Sequence, residues 1–115
     1  MTKNKESTRY FSTRQEEDVA KFLDGRRTAN SGATLFGGGD VVVNNSILIE
    51  CKTTEKEKSS FSIKKEWIDK SKKEATQLRM SNAVIAFRFS PDSEDYFVID
   101  KKLMKFLVEK LKEDD

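Results

Sequence analysis

The feature that most restricts this chain is a short hairpin that is apolar throughout. Val41-Val42-Val43 and Ile47-Leu48-Ile49 are hydrophobic at every position, not at alternate ones, which is the pattern of interior strands covered on both faces. Such strands call for helices on either side of a sheet. Between them, Asn44-Asn45-Ser46 suits a three-residue turn with an Asn in the left-handed region. That turn sets the register: Val43 opposite Ile47, Val42 opposite Leu48, Val41 opposite Ile49, and Asp40 opposite Glu50.

With 115 residues, there is room for one domain at roughly 100–200 residues each. Residues 1–12 carry Lys3, Lys5 and Arg9 against the single acid Glu6, with no apolar periodicity before Tyr10 and Phe11. A flexible basic arm is expected over 1–12 and a single domain over 13–115. Thr13 with Glu16 forms a capping-box pattern, Val19, Phe22 and Leu23 an apolar face, and Gly25 a stop, so a helix is predicted over about 13–24. A short strand near Arg26 to Ala29 then leads into a loop that ends in Gly37-Gly38-Gly39.

Beyond the hairpin, Thr53 to Ser60 reads as an exposed loop. Ser62 is expected to cap a helix running to about Met80, with Ile63, Trp67, Ser71, Ala75 and Leu78 on its buried side. Ala83 to Phe89 and Tyr96 to Ile99 read as strands around a turn at Pro91 to Asp95. Residues 101–112 read as a helix with Leu103, Phe106, Leu107 and Leu111 on one stripe. The resulting order is helix, short strand, hairpin, helix, two strands, helix, an α/β arrangement.

Composition limits the chemistry. Lys and Arg number 22 against 20 Asp and Glu, a net charge of +2, so attraction to a charged partner has to come from local clusters. There is no histidine and Cys51 is the sole cysteine, which excludes an internal disulfide, His-based zinc sites and Ser/His or Cys/His triads. A metal would be held by oxygen, and protons moved by carboxylates, lysine or water. No apolar stretch approaches the roughly 18 residues of a membrane span, and none follows the basic N-terminus as in a signal peptide. A cytoplasmic protein with no membrane contact is expected.

The predicted register brings Asp40 and Glu50 onto one face with Cβ atoms about 5 Å apart, and Lys52, two residues on, projects from the same face. Like charges opposite one another destabilise a sheet, so the arrangement needs a cation or a protonated acid. A Mg²⁺ ion, with Mn²⁺ as a substitute, would satisfy it through carboxylates, water and substrate phosphate. A structural ion pair is the alternative. Charged residues are depleted from doubly apolar strands, yet Glu50 and Lys52 directly extend Ile47-Leu48-Ile49, which favours the metal.

Gly39-Asp40-Val41-Val42 followed by Ile49-Glu50-Cys51-Lys52-Thr53-Thr54 resembles the PD-(D/E)xK nuclease signature, with Gly in place of the leading proline. Within that superfamily the chain is similar, from about Ser12 to Phe89, to the small archaeal-type and phage Holliday junction resolvases. The resemblance implies an αβββαβ restriction-endonuclease-like core, a mixed central sheet flanked by helices, and Mg²⁺-dependent hydrolysis of a DNA phosphodiester. It implies Asp40 and Glu50 as metal ligands joined by the backbone carbonyl of Cys51, and Lys52 as the group that positions water or stabilises charge on the phosphate. It also implies one acid on the first helix. Helical spacing puts Glu16 on the inward edge with Val19 and Leu23, and Glu17 with the solvent-facing Lys21 and Asp24. Glu16 is therefore the candidate fourth catalytic residue and metal ligand, its alternative role being the capping box with Thr13.

Ser31 matches the serine that the resolvases carry before the Asp, a candidate phosphate contact or a plain turn residue. Arg14, Arg26, Arg27, Lys64 and Lys65 stand in local basic clusters and are candidates for DNA phosphates. No aromatic-interleaved basic run or recognition motif is visible, so binding selective for DNA shape is expected. The Cys51 sulfur should face away from the acids and fill the core. A four-way junction has two-fold symmetry and two strands to cut, which implies a homodimer. Phe97, Leu103, Phe106, Leu107 and Leu111 either form its interface or close the monomer's own core.

Overall fold

A computed structural model describes residues 5–28 and 40–113, with side chains from residue 9 onward within those spans. Ser31 and the triple glycine lie outside the described residues. Among those residues five strands form one sheet in chain order, β1 (Arg26–Arg27), β2 (Val41–Val43), β3 (Ile47–Lys52), β4 (Asn82–Phe87) and β5 (Tyr96–Val98). Neighbours are antiparallel except β3 and β4, which run parallel. A parallel pair needs a crossover, supplied here by α2 (Lys65–Gln77). The other helices are α1 (Lys5–Phe22) and α3 (Lys101–Glu113), the latter started by Asp100, whose carboxylate accepts the Leu103 amide at 2.9 Å. No helix of the described residues is long and apolar enough to cross a membrane.

The doubly apolar hairpin is explained by a core on each side of it. Val41 and Ile49 pack with Val19 and Ala20 of α1, Val84 and Ala86 of β4 and Leu103 of α3. Val42 and Leu48 turn the other way and pack on Ala75 of α2. The register is the predicted one for three pairs, Val43 with Ile47, Val42 with Leu48 and Val41 with Ile49. Both Asn44 and Asn45 are left-handed, with φ 52° and 53°, a conformation Asn tolerates better than most residues.

Helix α2 stops at Gln77 and β4 at Phe87, short of the expected Met80 and Phe89, and three further element ends differ from expectation. First, α1 starts at Lys5, so residues 5–12 are helical and not a flexible arm. No Gly or Pro interrupts residues 5–22, and the helix passes through Thr13, which therefore caps nothing. Second, the left-handed residue that ends α1 is Asp24 (φ 55°), with the Gly25 amide closing on the Ala20 carbonyl at 2.8 Å. Gly25 serves packing, since a Cβ there would lie 2.7 Å from the Val42 carbonyl oxygen. Third, α2 begins at Lys65 with Lys64 at its N-cap and no side-chain cap, leaving Ser62 in the preceding loop. Its buried residues are Ser71, Glu74 and Ala75, while Leu78 is exposed.

The stripe on α3 does not close the monomer's core. Leu103 is buried, but Phe106, Leu107 and Leu111 are 53%, 43% and 68% exposed, and Phe97 on β5 also reaches solvent.

Candidate active site

Alternation along β3 puts Glu50 and Lys52 on the face that Leu48 shares with α2. The Lys52 Nζ lies 3.7 Å from Glu50 Oε1. Asp40 does not continue the ladder opposite Glu50. Its amide donates to the Ile49 carbonyl at 3.0 Å, although Ile49 is paired with Val41, so the chain slips out of register at this residue. Its carboxylate Oδ2 then accepts the Cys51 amide at 2.7 Å. The slip avoids a directly opposed pair of like charges while keeping Asp40 near Glu50.

The Glu50 carboxyl is pushed up to about 7, first by burial and then by the Asp40 charge, with Lys52 pulling the other way. Glu74 on α2 adds to the rise and Lys70 opposes it. Glu50 and Lys52 thus lie side by side on one face, with the Asp40 carboxylate bonded to the backbone amide between them and not opposite Glu50 as expected. Cys51 points into the opposite, α1-side core, where burial and then the Asp40 charge keep its thiol protonated, which suits a packing role and not a nucleophile.

Glu16 approaches from the other layer. It is buried on α1, as the helical spacing predicted, and Glu17 is exposed. Arg27 donates to Glu16 Oε1 through Nε at 3.1 Å, with a second guanidinium nitrogen also at 3.1 Å. Glu16 approaches from the α1 layer, whereas Glu50 and Lys52 face α2. Among the described residues no group of three or more Asp, Glu or Cys side chains gathers as metal ligands. Asp40 bonds the Cys51 amide between Glu50 and Lys52, and the Asp40 and Glu16 charges both act on Cys51.

The candidate DNA contacts are dispersed. Arg27 is engaged by Glu16 and, at 3.8 Å, by Glu17. Arg26 pairs with Val42 and lines a hollow with Asn44 and Asn45, at the turn end of the hairpin and away from Asp40. Arg14 is bridged to Asp92 at 2.9 Å and Lys65 to Asp69 at 2.7 Å. Lys64 is exposed at the start of α2.

Sequence reasoning passed over a buried polar network behind β3. Gln15 is fully buried, and its Nε2 donates to the Lys52 carbonyl at 3.0 Å and to Asp95 Oδ1 at 2.9 Å. Arg88, also buried, donates its Nε to the same Asp95 oxygen at 2.9 Å and bonds the Pro91 carbonyl at 3.1 Å. The available signal was an arginine between Phe87 and Phe89 at the end of an apolar strand, since a buried charge requires a partner.

No known protein family matches the chain, and neither does any curated protein sequence. Among solved structures, Hjc of Archaeoglobus fulgidus, a Holliday junction resolvase from an archaeal hyperthermophile, superimposes with a TM-score of 0.56. The match covers 75% of this chain and 73% of that one at 19% identity. The two share a fold. The restriction-endonuclease-like core expected from the signature, a mixed sheet flanked by helices, is thus the fold observed, and the Asp40, Glu50 and Lys52 cluster sits at one end of its β2–β3 pair.

Proposed function

We propose that the protein is a divalent-metal-dependent endonuclease that resolves four-way DNA junctions. The observation that carries the reading is the convergence of Asp40, Glu50 and Lys52 at one strand end, on a fold shared with an archaeal junction resolvase. The donor set suits a hard cation: the Asp40 charge raises the Glu50 carboxyl, and the Cys51 sulfur is turned to the opposite core. Asp40, Glu50 and the Cys51 carbonyl would hold the ion, leaving its other positions to water and phosphate. Bound there, it would supply Lewis-acid activation of water and of the phosphoryl group.

Lys52 is placed to orient the attacking water or to stabilise charge on the phosphate oxygens. Glu16, fixed by Arg27, would act from the α1 side of the same strand end. Two-fold junction symmetry asks for two such sites, and the exposed Phe106, Leu107 and Leu111 offer an apolar face for a second copy.

The test is cleavage of a labelled four-way junction beside a linear duplex of the same sequence, with Mg²⁺ and with chelator. Mg²⁺-dependent nicking of the junction alone is expected, and Asp40→Asn should abolish it while junction binding persists. Equal cutting of the duplex would assign a nuclease of different substrate, and binding without any cutting a DNA-binding module.

A further inference from the structure

The ammonium of Lys52 has two neighbours, and the signature accounts for only one. Besides Glu50, the Lys52 Nζ meets Trp67, on the first turn of α2, at 4.5 Å from the ring centroid. A cation at that distance from an indole is attracted by the negative face of the ring. The side chain of Lys52 is 29% exposed, so this attraction is only partly screened by solvent.

The ring itself is held. Phe61 packs against Trp67 at 6.2 Å between centroids and stacks on Phe87 at 5.1 Å. Phe87 is the β4 residue paired with Lys52 of β3, and it continues into contacts with Phe89 and Tyr96. The row of rings therefore runs from the sheet to Trp67, fixing the indole relative to the strand that carries Lys52. At the other end of that residue, the Gln15 amide fixes its carbonyl.

We propose that Trp67 is a positioning residue for Lys52, its indole face holding the ammonium beside the scissile phosphate when the Glu50 carboxylate is engaged by a cation. Glu50 cannot do this alone, because a carboxylate that shares its charge with a metal attracts a lysine less. The ring's quadrupole is indifferent to that exchange. Lys64, whose Nζ is 5.6 Å from the same ring, is a weaker second occupant that DNA phosphates can draw away. The role rests on the nuclease reading above.

Trp67 is the chain's sole tryptophan, so tryptophan analogues carrying one to four fluorines can be placed there and nowhere else. Fluorine withdraws charge from the ring face with little change in shape. Single-turnover cleavage of the junction should slow stepwise by roughly tenfold across the series, with junction affinity and melting temperature unchanged. A flat rate series in a cleaving enzyme overturns the positioning role and leaves the nuclease reading standing. NMR gives a readout independent of cleavage. The Lys52 ε-methylene protons should be shifted upfield by the indole ring current and lose that shift in Trp67→Leu. Resonances at ordinary lysine positions in the unsubstituted protein would overturn the role even if the rates fell. A wild-type protein that cuts no branched DNA removes the nuclease reading and this role with it.

Discussion

Glu50 is the residue on which the site turns, and its burial makes a thermodynamic prediction. Its carboxyl rises from an ordinary value of 4.5 to about 7 in the folded chain. Between those values the folded state holds a proton that the unfolded state has lost, so stability falls as pH rises through the window, by on the order of 3 kcal/mol. Below about 4.5 the contribution is complete, and above about 7 it is gone. Glu50→Gln should remove this dependence, melting higher than wild type at pH 8 and alike at pH 4.5, and an equal difference at both would contradict the burial argument. A cation bound at Glu50 competes with that proton, so affinity for Mn²⁺, measured by calorimetry, should weaken with falling pH below about 7. Gln15→Ala should cost about 1–3 kcal/mol in denaturant melts by leaving the Lys52 carbonyl and Asp95 short of a donor. The placement of Glu50 and Lys52 on one face was legible because strand side chains alternate with period two, whereas Asp40, expected opposite Glu50, bonds the Cys51 amide instead. Gln15, Arg88 and Trp67 were not legible, because their partners lie 37, 7 and 15 residues away and no local spacing brings them together.

Among the elements, the hairpin was readable to the residue, since both its strands and its Asn-rich turn are specified locally. The exception is Asp40, whose carboxylate accepts the Cys51 amide where the ladder would have continued. Helix ends were less legible. A capping pattern at Thr13 means nothing once residues before it can also be helical, and Ser62 was outcompeted by a start at Lys64. Gly25 gives a direct check of how β1 is seated. Gly25→Ala would press a methyl against the Val42 carbonyl and the Val43 side chain, so a loss of about 1–3 kcal/mol is expected from thermal or denaturant melts. An unchanged melt would show that β1 does not approach β2 so closely.

For the whole molecule, the open question was which apolar residues belong to the monomer and which to a partner. Amphipathic periodicity cannot separate the two, because a core and an interface impose the same stripe. Exposure of Phe106, Leu107 and Leu111 assigns them to the outside of the monomer. In the proposed homodimer, Leu107→Glu with Leu111→Glu should leave a monomer at micromolar concentration in sedimentation velocity where the unsubstituted protein is a dimer, with the melting temperature of the monomer preserved. A wild-type protein that sediments as a monomer would remove the symmetric pair of sites. The proposed nuclease activity depends on a hard cation bound between Asp40 and Glu50, and anomalous scattering from crystals soaked in Mn²⁺ at pH 8 tests that proposal directly. The expected peak lies about 2.2 Å from carboxylate oxygens of both Asp40 and Glu50. A peak elsewhere, or none with those side chains turned apart, would contradict the account.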